Sequence, residues 1–372
     1  TYETKNIRET AVLIGVHAQT DRQFNFESTM EELDALSQTC QLNVKGQITQ
    51  NREQFDHKYY VGKGKIDEIK SFIEFHDIDV VVTNDELTTA QSKTLNDNLG
   101  IKIIDRTQLI LEIFALRARS REGKLQVELA QLKHLSTRLI RGWSADFEQQ
   151  KGGIGLRGPG ESQLETDRRL IRVRITQLKD KLEKVHQTRM QGRAARQKAS
   201  IPTVSLVGYT NAGKSTLFNI LAKSDVYAAD QLFATLDPTL RRLEWDGIGT
   251  VVLADTVGFV RNLQHDLVES FKATLEETLE ATLLLHVIDS SSHDMLDQIE
   301  AVEGVLKEIG ADAPVLRVYN KIDLSGEEAK IIYSEPHVPD RVYVSAHSGL
   351  GLDLLRQAVQ ECLMGQLQHF SL

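Results

Sequence analysis

The chain has 372 residues, of which 41% are hydrophobic and 26% are charged, and its formal net charge is −9. This length allows two or three globular domains, while the absence of an apolar run of about 18 residues and of a signal-peptide pattern argues against a membrane-spanning or secreted protein. Two distant cysteines, Cys40 and Cys362, predict neither a disulfide framework nor a zinc site and fit a reducing compartment.

The first part of the chain alternates short β-branched runs with helical patterns. The strand-like runs are TAVLIGV, NVKGQITQ, IDVVVTND and IKIID, between residues 10 and 105. Strands separated by helices of this length are typical of parallel βαβ units, so residues 1–112 are predicted to form a small α/β domain. GKGK at 62–65 raises the question of a second nucleotide site, but it is not a complete phosphate-binding loop, and we interpret it as a turn.

A helical pattern with leucine periodicity begins near Arg106. Its apolar positions are Leu125, Leu129, Leu132 and Leu139, then Leu164, Ile171, Ile175, Leu178, Leu182 and Val185. This spacing predicts two antiparallel helices over residues 113–198, joined near a glycine-rich loop at 151–160. The apolar period is lost in QGRAARQKASIP, so Gln191 to Pro202 is predicted to be a linker.

The charge is distributed unevenly along the chain. Residues 113–198 contain 20 lysines and arginines against nine acidic residues, a local charge of +11 in an acidic protein. Such a segment is either a solvated helix face or the binding surface for a polyanion such as nucleic acid, and composition alone leaves both open.

Near-continuous apolar runs return in the last part of the chain. TVSLVG, TVVLADTVG, TLLLHVID and PVLRVYNKID have the pattern of strands buried on both faces of a parallel sheet, and a final helix is predicted at about Gly351–Met364. Residues 199–372 are therefore predicted to form an α/β domain with a mostly parallel sheet flanked by helices.

GYTNAGKS at 208–215 follows the first of these strands and opens a helix, which is the setting of a phosphate-binding loop. Backbone N–H groups would surround the phosphates, Lys214 would neutralise the β/γ oxygens, and the Ser215 hydroxyl would bind Mg²⁺. The residues predicted to bind the phosphates are Gly208, Asn211, Ala212, Gly213, Lys214, Ser215 and Thr216.

Two later segments complete the predicted phosphate site. In DTVG, Asp255 can hold Mg²⁺ through water and the Gly258 amide can meet the γ-phosphate. A threonine of AADQLFATLDPTLRR is needed to contact Mg²⁺ and the γ-phosphate, and we predict Thr235, with Thr239 second. The alternative is that either threonine simply caps a turn. Lys214, Thr235 and Gly258 are the predicted catalytic residues.

NKID at 320–323 determines the predicted base. Asp323 can accept hydrogen bonds from the two donors of guanine, which adenine lacks. Asn320 would tie this loop to the phosphate loop, the Lys321 stem would cover the purine, and a backbone amide near Ser345 and Ala346 would meet guanine O6. The sequence therefore predicts GTP and GDP as ligands.

With these motifs, together with GKLQVELAQL, GGIGLRGPGE, LETDRR and YVGKGK, the chain resembles the HflX family of GTPases over nearly its whole length. The resemblance implies a cytoplasmic, stress-linked enzyme that binds the large ribosomal subunit and splits ribosomes. It also implies rRNA contact by the glycine-rich loop and the basic helix, for which the candidates are Arg157, Arg168, Arg169 and Arg172. No second apolar seam is evident, which favours a monomer.

Phe259 follows DTVG, where many GTPases place a glutamine that orients water, so slow intrinsic hydrolysis is expected, accelerated when a partner or a rearranged loop supplies the missing group. The resemblance implies that this partner is the large ribosomal subunit. Asn211 raises the hypothesis of a potassium ion beside the phosphates. Two other functions remain open, namely a regulatory switch that acts on a protein effector, and an RNA-remodelling NTPase that uses ATP in its N-terminal domain.

Overall fold

The computed structural model describes residues 8–18, 25–139, 163–198, 201–223, 232–233, 235–261, 275 and 278–369. The chain divides into two compact units. The N-terminal unit comprises Thr1–Leu116 and Lys124–Glu183, and the C-terminal unit comprises Arg117–Gly123 and Lys184–Leu372. The chain thus passes between the units at a short segment, 117–123, that precedes and opens a long helix.

The N-terminal unit begins with the predicted alternation of strands and helices. The elements are β1 Thr10–Ala18, α1 Phe26–Thr39, β2 Asn43–Arg52, α2 Lys63–His76, β3 Val80–Thr83, α3 Thr89–Leu99 and β4 Lys102–Asp105. Each strand pairs in parallel with its neighbours, in the order β2-β1-β3-β4. The α/β prediction is confirmed, because each apolar run forms a strand and each helical pattern a crossover helix.

The GKGK segment lies at the start of α2. Gly62 precedes the helix, and its N–H donates to the Gln50 side chain at 2.7 Å. A Cβ at Gly62 would lie 2.8 Å from the Arg52 guanidinium, so the backbone comes close to the end of β2 here. The segment is therefore the loop-to-helix turn that the sequence suggested.

Three helices follow β4: α4 Arg106–Arg117, α5 Arg121–Leu139 and α6 Gln163–Lys198. Leu129, Ile171 and Leu178 of the predicted seam are buried. Arg174 of α6 pairs with Glu128 of α5 at 2.7 Å. The glycine-rich loop at 151–160, with Arg157, lies outside the described residues.

The predicted linker from Gln191 is wrong as far as Lys198, where α6 ends. Its sequence lacks an apolar period, but alanine, arginine, glutamine and lysine are all good helix formers, so the helix continues without an apolar face. Only residues 199–202 remain between this helix and the next strand.

The C-terminal unit contains a seven-stranded sheet. Its elements are β5 Thr203–Gly208, α7 Lys214–Ala222, β6 Thr239–Trp245, β7 Gly249–Asp255, β8 Leu283–Asp289, α8 Met295–Ile309, β9 Val315–Asn320, α9 Ile322–Ser325, β10 Ile331–Glu335, β11 Val338–Tyr343 and α10 Leu352–His369. The strand order is β10-β11-β9-β8-β5-β7-β6, and only the outer pairs β6/β7 and β10/β11 are antiparallel.

The centre of this sheet is apolar on both faces. Leu206, Leu253, Leu285 and Leu316 come from four adjacent parallel strands and are fully buried in one cluster with residues of α7 and α10. The last helix extends five residues beyond the predicted end, to His369. Among the described residues, no helix is both long and apolar enough to cross a membrane.

Candidate functional site

The motifs of the C-terminal unit meet at the carboxyl ends of its parallel strands, the usual position of ligand sites in open α/β sheets. β5 ends at Gly208 and leads through a tight loop into α7. Asn211 and Gly213 in this loop have positive φ angles of 62° and 93°. A Cβ at Gly213 would lie 2.3 Å from Asn320 Nδ2, so glycine is required by both the backbone conformation and the space.

Lys214 is buried at the start of α7, and its Nζ donates to the Tyr209 carbonyl at 2.8 Å. Burial lowers the pKa of Lys214 to about 8, while the nearby Asp255 carboxylate opposes the shift. A Cβ at Gly258 would lie 3.0 Å from this Nζ. Lys214 Nζ and Gly258 thus lie next to each other, as they must if both are to contact the same γ-phosphate.

Three oxygen-bearing side chains from separate segments meet beside Lys214. Ser215 Oγ lies 2.8 Å from Thr235 Oγ1, and both hydroxyls donate to Asp255 Oδ2, at 2.7 and 2.8 Å. We call Ser215, Thr235 and Asp255 the oxygen cluster. Burial raises the pKa of Asp255, although Lys214 and the two hydroxyls act against this.

The oxygen cluster suits a magnesium ion. Hydroxyl and carboxylate oxygens beside bound phosphates are the kind of ligands that Mg²⁺ takes, so these residues would fit such an ion. Thr239, the second choice for this role, begins β6 and pairs with Asp255 through the backbone ladder. The geometry therefore favours Thr235, whose role at the metal remains a prediction.

Asn320 joins the base motif to the phosphate loop. Its Nδ2 donates to the Ala212 carbonyl at 2.9 Å, and its Oδ1 accepts the Ala346 N–H at 2.9 Å. The Ser345 N–H donates to the Leu350 carbonyl. The amides predicted to meet guanine O6 are thus engaged within the protein, and a base oxygen would have to share the Ala346 N–H. Their direct contact with guanine stays a prediction.

Lys321 and Asp323 follow β9, with Lys321 in a left-handed conformation at φ 66°. Lys321 Nζ pairs with Asp289 at 2.7 Å, and the Asp323 side chain is one quarter exposed, with His347 Nδ1 4.0 Å away. Asp289 was missed from the sequence. It ends β8 directly beside Asn320 in the parallel register, and a strand-ending aspartate next to the base motif was the available signal.

Phe259 is buried, and its backbone pairs with the phosphate loop. Its N–H donates to the Gly208 carbonyl at 3.1 Å, and its carbonyl accepts the Thr210 N–H at 2.7 Å. Arg261, also buried, pairs with Asp294 at 2.6 Å. The segment after DTVG is thus paired with the phosphate loop through backbone hydrogen bonds, a feature that the motif alone does not predict.

Three of the four predicted RNA-binding arginines, Arg168, Arg169 and Arg172, lie on α6, in the N-terminal unit. Arg169 and Arg172 are exposed, whereas Arg168 is partly buried. Leu170 and Val173 beside them are about half exposed, at 56% and 48%. Their role in binding RNA stays a prediction.

Comparison with known proteins places these features in a family. Three family models match successive parts of the chain: "GTP-binding GTPase N-terminal" at residues 27–115, "GTP-binding GTPase Middle Region" at 117–196 and "50S ribosome-binding GTPase" at 203–321.

Individual relatives match over nearly the whole chain. The GTPase HflX of Escherichia coli (strain K12) is 52% identical over 366 residues, which cover 98% of this chain and 85% of the relative. The GTPase HflX of Caldanaerobacter subterraneus subsp. tengcongensis is 48% identical over 97% of this chain and 82% of the relative. A crystal structure of an SsGBP and GDP complex is 25% identical, covers 96% of this chain and 99% of that chain, and has a TM-score of 0.53.

Proposed function

This chain belongs to the GTPase HflX family, and on that premise we propose that its GTP cycle controls binding to the large ribosomal subunit and the splitting of ribosomes in the cytoplasm. As a member of the family it is a GTP-hydrolysing enzyme that binds guanine nucleotides. The proposal concerns the residues that perform the reaction, the partner and the outcome of the cycle.

The oxygen cluster is the observation that carries the proposed mechanism. Ser215 and Thr235 would hold Mg²⁺, with Asp255 beside it, because the oxygens of these three side chains, from separate segments, already meet beside the buried Lys214. When bound, this ion neutralises charge on the β- and γ-phosphate oxygens. Lys214 places a buried ammonium beside Gly258, whose N–H would contact the γ-phosphate. Hydrolysis then depends on positioning and charge stabilisation.

The attacking water has no side-chain partner at position 259. Phe259 is apolar and buried, so it cannot orient a water molecule as glutamine does in other GTPases. We therefore expect slow intrinsic hydrolysis that is accelerated when the ribosome supplies or repositions the missing group. Asn211 in the phosphate loop supports a further expectation, namely faster hydrolysis in potassium than in sodium buffer.

The ribosomal contact is supported by charge and exposure. Arg169 and Arg172 project from α6 within a segment of charge +11. Neutralising backbone phosphates contributes strongly to RNA affinity, and arginines exposed on a helix surface are placed to make such contacts. The matched family model for residues 203–321 carries the description of a 50S ribosome-binding GTPase, which agrees with this partner.

The test compares two paired charge reversals. Arg169→Glu with Arg172→Glu changes α6, whereas Arg241→Glu with Arg242→Glu changes an equally exposed pair on β6. Steady-state GTP hydrolysis is measured with and without purified large subunits, and subunit binding is measured over a range of salt concentrations. We expect the α6 variant to lose most of the stimulation and to lower the slope of log affinity against log salt by about two.

The control variant should behave as wild type in both measurements. Equal stimulation of all three proteins would exclude α6 as the RNA contact. If large subunits do not stimulate hydrolysis by the wild type, the ribosome is not the activating partner. If large subunits stimulate hydrolysis of ATP in place of GTP, the RNA-remodelling alternative is favoured.

A further inference from the structure

A contact in the C-terminal unit joins Asp237, two positions after Thr235, to the residues just before α5. Asp237 Oδ2 accepts the N–H groups of Arg119 and Ser120, at 2.9 and 2.8 Å, and its Oδ1 accepts the Ser120 hydroxyl. Ser120 Oγ in turn accepts the Gly123 N–H at 2.8 Å and so caps α5. One carboxylate is thus held by two amides and a hydroxyl at a helix N-terminus, where negative charge is favoured.

Gly123 makes this contact sterically possible. A Cβ at Gly123 would lie 2.3 Å from Asp237 Oδ1, nearer than any real contact allows. In the first turn of a helix alanine is otherwise preferred over glycine by about 1 kcal/mol. Gly304, inside α8, offers the opposite case, because a Cβ there would meet nothing within 4 Å. The glycine of the GKLQVELAQL motif is therefore explained by the approach of Asp237.

The segment that carries Asp237 is short and anchored at both ends. Thr235 reaches the oxygen cluster, Leu236 is buried, and Asp237 binds residues 119–120. Pro238 follows and restricts the Asp237 backbone to extended conformations. With only one residue between the two anchors, Thr235 cannot leave the oxygen cluster without pulling on Asp237.

We propose that Asp237 is a positioning residue, which holds Thr235 at the magnesium site by gripping the start of α5. The inference rests on the proposed role of Thr235. Because coupling between two sites is reciprocal, order imposed on Thr235 by Mg²⁺–GTP also tightens the contact at residues 119–120, at the beginning of the first helix of the hairpin. GDP, which lacks the γ-phosphate that Thr235 would sense, leaves this contact looser.

Gly123→Ala tests the contact with Gly304→Ala as its matched control. Affinities for a non-hydrolysable GTP analogue and for GDP are measured at fixed Mg²⁺ on the full chain. We expect Gly123→Ala to weaken binding of the analogue about fivefold or more while GDP binding is unchanged, and Gly304→Ala to change neither. Asp237→Asn, which keeps the side-chain shape, serves as a second variant and should lower analogue affinity in the same direction.

Amide hydrogen exchange gives a second readout on wild type. The amides of Arg119 and Ser120 should exchange more slowly with the analogue than with GDP, and Thr235→Ala should abolish that difference. The inference would be overturned if Gly123→Ala and Gly304→Ala bound the GTP analogue with equal affinity. It would also be overturned if the amides of residues 119–120 exchanged at the same rate with the analogue and with GDP.

The two failures can be told apart through Thr235→Ala. If that variant keeps the full Mg²⁺ dependence of analogue binding, the metal role of Thr235 fails and the inference fails with it. If Thr235→Ala loses the Mg²⁺ dependence but Gly123→Ala and Asp237→Asn bind as wild type does, the proposed function stands and only the role of Asp237 is refuted.

Discussion

Replacing Asn320 with alanine tests whether one side chain holds the base loop against the phosphate loop. The substitution removes the donor to the Ala212 carbonyl and the acceptor of the Ala346 N–H, and all three residues are buried. An unpaired buried backbone group costs about 1–3 kcal/mol, so the free energy of unfolding should fall by about 2–4 kcal/mol. Part of this loss should appear in binding, because misplaced loops must be reordered by the ligand. We expect GDP affinity to fall at least about tenfold, which corresponds to about 1.4 kcal/mol.

The assay pairs urea unfolding with titration of a fluorescent GDP analogue. Gln357→Ala, which removes an exposed amide on α10 that donates to Glu361, is the control and should change stability by less than about 0.5 kcal/mol. Asn320→Asp gives a further check, because it keeps the acceptor for Ala346 but sets two oxygens against each other at Ala212. If Asn320→Ala matches Gln357→Ala in stability and keeps full GDP affinity, the junction does not organise the site.

Three further outcomes follow from the site and its surroundings. Asp323→Asn should lower GDP affinity about a hundredfold and improve binding of the xanthine nucleotide, whose C2 carbonyl accepts from the new amide; unchanged base preference in competition titrations would contradict the role of Asp323. Burial lowers the pKa of Lys214 to about 8, and the phosphates of a bound nucleotide should raise it again, so nucleotide affinity should fall as pH rises above 8. Calorimetry of nucleotide binding in buffers of different ionisation enthalpy should therefore show uptake of about half a proton at pH 8 and almost none at pH 6.5. Burial lowers the pKa of His286 to about 4, so the free energy of unfolding should be unaffected by this group above pH 6.5 and should decline as pH falls toward 4, by up to about 3 kcal/mol. His286→Gln should make the free energy of unfolding depend less on pH over this range. An unchanged pH dependence would exclude His286 as the cause of the decline.

The sequence predicted the parts of the fold that depend on short-range patterns. The central strands of both sheets are apolar on both faces, so their runs in the sequence coincide with the observed strands. The phosphate loop was also predictable from a short-range pattern, because its strand, glycine turn and helix are adjacent in the chain. The sequence could favour Thr235 over Thr239 as the threonine near the phosphates, but it could not show which residues Thr235 contacts. Only the folded chain brings Thr235 to Ser215 and Asp255.

The outer strands β6 and β10 of the seven-stranded sheet escaped prediction for a physical reason. β6 carries exposed Arg241 and Arg242, and β10 is largely exposed, so neither shows the apolar alternation of a half-buried strand. The end of α6 escaped because its residues favour a helix by propensity while showing no apolar period. In each case the missing signal was burial, which these segments do not need because they lie at edges or continue an existing helix.

Polar residues that position other residues were the hardest to find. Asp289 orients Lys321, and Asp237 accepts a hydrogen bond from Ser120, which lies 117 positions earlier in the chain. Each acts on another part of the protein, so no local motif chemistry announces it. Their common feature is a carboxylate at a strand end or beside a proline, within a segment that also carries a ligand-binding residue.

These contacts bear on how the enzyme is activated. Two of the residues expected to contact phosphate or its metal ion are held by hydrogen bonds: Lys214 donates to the Tyr209 carbonyl within the phosphate loop, and Thr235 donates to Asp255. Phosphoryl transfer is catalysed mainly by positioning and charge stabilisation, so small shifts of these loops change the rate without any new chemical group. With Phe259 buried and unable to orient water, a partner that displaces the start of α5 has a direct route to the site through Asp237. Under the proposed role of Asp237, movement at residues 119–120 would reach Thr235 through this contact, and Gly123→Ala disturbs the same contact from within the chain.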